Sequence, residues 1–252
     1  MENKIIVKNL HINYKTFGAG KPFLILHGWG SKSDRWEKLS ELLAQQGLQV
    51  FVPDLPGFGK SQEPEKPWSL DTYVEWLNEF VEKVPELRNG FYLMGHSFGG
   101  AMAAKFTIKY NQKVAKLFLV SSACIRKRTA VKKAMYQISK AVKLFSFLPY
   151  YPEARKAFYK FVIRTSDYPY VSGVMKETYL KVISDDGSHK INFIKVPTTI
   201  IWGDKDDYTP IDQAKFIHSR ISNSNLVIIP GAGHALQIKF PEMLAEKIIE
   251  NV

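Results

Sequence analysis

The chain has 252 residues, 45% of them hydrophobic, which suits one compact domain with a large core. Its single cysteine excludes an internal disulfide and a thiolate metal site, and no apolar run approaches the ~20 residues of a bilayer span. The net charge of +11 favours anionic partners, but no recognisable nucleic-acid module accompanies it, so nucleic acid is not expected as one.

Met1 to Ile5 lack the apolar core of a signal peptide and lead directly into a strand, so the cytoplasm is the expected location. Alternating residues over 5–17 predict a hairpin, and the apolar run 23–26 predicts a third strand. The small-residue loop His27, Gly28, Trp29, Gly30, Ser31 follows it. A helical pattern covers 36–46, a strand 48–52, then the loop Asp54-Leu55-Pro56-Gly57-Phe58-Gly59-Lys60-Ser61 and a helix over 70–84. The strand 91–94 runs into Gly95, His96, Ser97, Phe98 and Gly99, and a helix is predicted over 101–110.

Gly-x-Ser-x-Gly between a strand and a helix is the pattern of a nucleophile elbow. The serine sits in a strained turn, and small residues on either side let two backbones approach closely. A serine hydroxyl is a poor nucleophile until a base accepts its proton and an acid orients that base. The strand 117–120 ends in Ser121, Ser122, Ala123 and Cys124, with no carboxylate among them. Strands over 198–202 and 226–229 are each followed by a loop holding a candidate: Asp204, Asp206 or Asp207 in the first, His234 in the second. Open α/β sheets place their sites past the carboxyl ends of strands. Helices over 211–219 and 241–251 complete the alternation, which argues for a mostly parallel sheet. Of the other histidines, His11, His189 and His218 fall in a strand, a polar loop and a helix, where packing or solvation is the expected role. Asp54 is expected to cap its loop.

The alternation is interrupted over 125–190, where three helical patterns follow one another, over 131–145, 155–164 and 173–183. This span carries fourteen Lys and Arg against five Asp and Glu, which puts +9 of the chain's +11 there. Such a one-sided field attracts an acidic carrier protein, an anionic small substrate or an anionic lipid surface. Its aromatic residues, Phe145 and Tyr159 among them, are candidates to line an acyl pocket.

On these motifs the chain resembles the α/β-hydrolase superfamily nearly from end to end. The resemblance implies an eight-stranded, mostly parallel sheet flanked by helices, with residues 1–124 and 191–252 as the core and 125–190 as a helical cap inserted after the sixth strand. It implies the order Ser, acid, His, with Ser97 as nucleophile, His234 as base and Asp206 as acid, the third residue after Gly203 in a pattern closed by Pro210. It gives His27 and His96 no proton-transfer role. The N–H groups of Trp29 and Phe98 would form the oxyanion hole, with the Trp29 side chain in the pocket. No metal or other cofactor is implied. The loops at 27–30 and 54–61 look most like those of small carboxylesterases, including pimeloyl-carrier-protein methyl ester esterases. The expected activity is therefore hydrolysis of short to medium acyl esters, a small-molecule ester being the substrate. Carbon–carbon bond hydrolysis of ring-cleavage products and a non-catalytic ligand-binding protein are the alternatives.

Overall fold

The computed structural model describes residues 1–125 and 171–252. Eight strands form one sheet: β1 (Glu2–Val7), β2 (Leu10–Phe17), β3 (Lys21–Leu26), β4 (Leu48–Pro53), β5 (Phe91–His96), β6 (Val114–Val120), β7 (Thr198–Gly203) and β8 (Ser224–Ile229). Their spatial order is β1-β2-β4-β3-β5-β6-β7-β8. Strand β2 is antiparallel to both β1 and β4, and every later pairing is parallel. The parallel strands are nearly continuous apolar runs because helices cover both faces. All eight predicted strands are present, β1 starting at Glu2 rather than at residue 5.

One face carries α1 (Glu37–Ala44) and α7 (Pro241–Ile249), the other α2 (Leu70–Lys83), α3 (Phe98–Lys109) and α5 (Ile211–Arg220). Helix α2 starts where Ser69 accepts a hydrogen bond from Thr72 N–H, and it buries Leu70, Tyr73, Val74, Leu77, Phe80 and Val81. The stretch Ser33–Trp36 is a 3-10 turn, so the helix predicted from 36 begins one residue later. A short helix, α6 (Leu236–Lys239), precedes α7. Among the described residues, no helix is long and apolar enough to cross a membrane.

Of the predicted cap, the third helix is α4 (Gly173–Ser184). It buries Met175, Thr178, Tyr179 and Val182 against the loops at the carboxyl edge of the sheet. The Thr178 hydroxyl accepts Trp68 N–H at 3.0 Å. A Cβ at Gly57 would meet the Met175 sulfur at 2.4 Å, so Met175 can seat only on a glycine. The first two predicted cap helices, with Phe145 and Tyr159, lie outside the described residues.

Candidate active site

Ser97 occupies the turn between β5 and α3 with φ +52° and ψ −116°, a conformation that costs a non-glycine residue roughly 1–3 kcal/mol. Neighbouring glycines make the turn sterically possible. A Cβ at Gly95 would lie 2.3 Å from Gly99 O, and one at Gly99 2.2 Å from Leu26 O. Strand β5 and the start of α3 thus touch backbone to backbone, and α3 is pressed against the end of β3. The hydroxyl-bearing residue is lifted to the carboxyl edge of the sheet.

The loops after β7 and β8 lie side by side. Lys205 N–H donates to Ala232 O at 2.9 Å, and a Cβ at Gly203 would stand 2.1 Å from that same oxygen. This contact brings Asp206 to His234: Nδ1–H of His234 donates to Asp206 Oδ2 at 2.8 Å. The carboxylate is fully shielded, while the imidazole keeps 18% of its surface. Oδ1 of Asp206 accepts the N–H groups of Tyr208 (2.9 Å) and Thr209 (2.8 Å). The Thr209 hydroxyl adds a bond to Oδ2 at 2.8 Å, and its carbonyl is held by Trp202 Nε1–H at 2.6 Å. Burial pushes the Asp206 carboxyl up, but the bond and charge of His234, with the Thr209 N–H, outweigh it and hold the group below its ordinary value.

The other two aspartates do not compete. Asp204 is exposed and caps the next loop through Gly231 N–H at 2.7 Å, and Asp207 is exposed. Ser97 and His234 stand at the same edge, yet among the described residues no hydrogen bond joins Ser97 Oγ to the imidazole. Such bonds commonly tighten only when substrate is in place.

Gly28 faces Ser97, a Cβ there falling 3.2 Å from Ser97 Cβ. Ser31 N–H donates to Gly28 O at 3.1 Å with Gly30 at φ +68°, so residues 28–31 close a turn that leaves Trp29 N–H outside its hydrogen bond. Phe98 is the first residue of α3, where an N–H has no acceptor within the helix. The Trp29 ring packs edge-on against Phe58 (4.9 Å), Phe98 (5.4 Å) and Tyr179 (5.1 Å). Phe58 and Tyr179 were not singled out from sequence. Neither were Thr209 and Tyr208, whose ring stacks on His234 at 5.0 Å and 21°.

Asp54 caps its loop as expected. Its buried carboxylate accepts Ser33 N–H (2.6 Å), Lys60 N–H (2.9 Å) and Asn13 Nδ2–H (3.1 Å), tying the loop after β3 to the loop after β4. His27 spans the same loops: Nδ1–H donates to Gly28 O at 2.8 Å, and Nε2 accepts Leu55 N–H at 3.0 Å. Its buried ring is pulled down to about 4, and that of His96 to about 3, by loss of hydration. The unfolded chain binds these protons from ~6.5 downward, whereas the folded chain refuses them. Stability is therefore full above that pH and falls as the medium is acidified, by up to about 1.4 kcal/mol per pH unit for each ring. Urea titrations across this window are expected to show a flatter slope in His96→Gln than in the wild type. Equal slopes would mean that the ring already titrates in the folded protein.

A sequence profile of the alpha/beta hydrolase fold matches residues 21–157 and 176–241. Lipase 1 of Psychrobacter immobilis is 26% identical over 243 residues, which cover 88% of this chain and 73% of that protein. The AB hydrolase superfamily protein YisY of Bacillus subtilis is 28% identical over 86% of each chain. Among solved structures, the meta-cleavage product hydrolase of Pseudomonas fluorescens superposes with a TM-score of 0.74 at 21% identity, over 98% of this chain and 96% of that one. That likeness carries the fold alone, but the profile spans most of the chain, on both sides of residues 158–175. The chain is a hydrolase of the alpha/beta hydrolase family.

Proposed function

We propose that this chain is a serine carboxylic-ester hydrolase for short to medium acyl chains, working through Ser97, His234 and Asp206. The observation that carries the reading is the His234–Asp206 pair at 2.8 Å, its carboxylate buried, at the sheet edge that also presents the strained Ser97. Asp206 accepts Nδ1–H and so leaves Nε2 of the neutral imidazole with its lone pair, the tautomer a general base needs. Ser97 Oγ attacks the ester carbonyl as its proton passes to Nε2. The imidazolium, stabilised by the Asp206 charge, returns that proton to the leaving alcohol. Water repeats the cycle on the acyl-serine and releases the acid. The N–H groups of Trp29 and Phe98 receive the developing oxyanion, worth roughly 3 kcal/mol for each donor.

Residues 125–190 serve as a cap in this reading, with Trp29, Phe145 and Tyr159 lining the acyl pocket. The lipase relatives support an ester substrate. The excess of cations in the cap supports an anionic substrate or an acidic acyl carrier.

The test is turnover of p-nitrophenyl esters from acetate to dodecanoate, together with labelling by a fluorophosphonate. Expected are an optimum at short to medium length and one phosphonyl adduct, on the peptide containing Ser97. Added salt is expected to slow anionic and carrier-linked esters more than neutral ones. No turnover and no adduct would sink the esterase reading and direct attention to vinylogous diketo acids, the substrates of carbon–carbon bond hydrolysis.

A further inference from the structure

His96 takes no part in proton transfer, yet it joins the nucleophile to the base. It closes β5 immediately before Ser97 and shares a strand face with Met94, two positions back, among the side chains that meet α1. This turns its ring away from the serine and under the loop after β8. There Nε2 lies 2.9 Å from the main-chain carbonyl of His234, and the two rings stand 4.8 Å apart. A carbonyl only accepts, so Nε2 carries the proton and donates it. The Trp36 ring packs against it at 5.5 Å, and Gly28 leaves room for it, since a Cβ there would fall 3.0 Å from Nδ1. Nδ1 is buried without a hydrogen-bond partner among the described residues, so the ring has no acceptor for a second proton. Burial accordingly keeps it neutral beside a base that cycles through a cation.

We propose that His96 is a positioning residue for the hydrolytic reaction: its Nε2–H, on a ring packed against Trp36 and Gly28, holds the His234 carbonyl and sets the imidazole's place between Ser97 and Asp206. The proposal rests on the serine esterase reading above. The nucleophile's own strand thereby fixes the height of the base, and a donor missing or displaced by one bond length leaves the Ser97–His234 gap too wide.

Two amides of different reach test this. His96→Gln places an N–H near the position of Nε2, and His96→Asn places one near Nδ1. His96→Leu fills the space with no donor, and Ser97→Ala is the blank. Kinetics on p-nitrophenyl butyrate, urea unfolding and the low-field proton resonance of His234 Nδ1–H are measured on each. Leu and Asn are expected to lower kcat by about 10–100-fold with KM nearly unchanged, and to shift or broaden the resonance. Gln is expected to recover kcat to within about threefold and to restore the resonance. A Leu variant with wild-type kcat, or Gln as slow as Asn in folded protein, overturns the proposal. If Leu does not fold, the Gln–Asn contrast decides alone. Turnover that survives in Ser97→Ala overturns the esterase reading instead, so the two failures are distinguishable.

Discussion

Ser97→Ala and His234→Ala are each expected to lower kcat for ester hydrolysis by about 10⁶-fold, and Asp206→Asn by about 10⁴-fold. In the proposed mechanism the first two remove the attacking atom and its proton acceptor. The third acts through a tautomer, and the surroundings of the carboxylate decide its direction. Oδ1 accepts two backbone N–H groups, from Tyr208 and Thr209, and Oδ2 receives His234 Nδ1–H. A carboxamide in that place must turn its oxygen to the two backbone donors and its NH₂ to the imidazole. His234 Nδ1 then becomes an acceptor, Nε2 takes the proton, and the nitrogen that serves as base in the proposed mechanism loses its lone pair for that role. The fold is untouched, so circular dichroism and unfolding midpoints are expected to change little while kcat collapses. Asp204→Asn and Asp207→Asn are expected within about twofold of the wild type, since both side chains are exposed and neither touches the imidazole. Loss of activity at 207 comparable to that at 206 would show that the acid had been wrongly assigned.

Ser97 and His234 are legible in the sequence as candidates because each sits in a glycine-rich turn after an apolar run, and those turns are local. Asp206 required the spacing to Gly203 and Pro210, and its advantage over its neighbours becomes physical only with the bonds from Tyr208 and Thr209. The parallel strands were legible for a similar reason, since burial on both faces makes them continuous apolar runs. Strand β1 began earlier than expected because Glu2 and Lys4 lie on an edge, where polar side chains face water. The start of α1 was displaced because Ser33–Trp36 closes as a 3-10 turn, which local pattern does not separate from a helix's first turn. What stayed hidden depends on distant contacts. His96 meets His234 across 138 positions, and Tyr179 reaches Trp29 only once α4 has settled on the core. Neither contact has a local signature.

Gly99→Ala is expected to cost more than about 4 kcal/mol, or to prevent folding, although it adds a single methyl group. The methyl would stand 2.2 Å from Leu26 O and 2.6 Å from His27 O, and both obstacles are backbone. Side chains can rotate aside, but these carbonyls belong to the end of β3 and to the loop that carries Trp29. Relief must therefore come from α3 moving away from the sheet, which shifts Phe98 N–H, one of the proposed oxyanion donors, and relaxes the Ser97 turn. Any folded fraction is thus expected to be nearly inactive. Gly30→Ala supplies the contrast. Its φ of +68° is as unfavourable for alanine as any left-handed position, yet among the described residues beyond its chain neighbours no atom lies within 4 Å of the added Cβ. That change is expected to cost only the backbone penalty, about 1–2 kcal/mol. Urea unfolding midpoints rank the two. If Gly30→Ala proved the more damaging, conformational preference rather than close backbone approach would be what the glycines of this site supply, and the account of how α3 aims the nucleophile would fall with it.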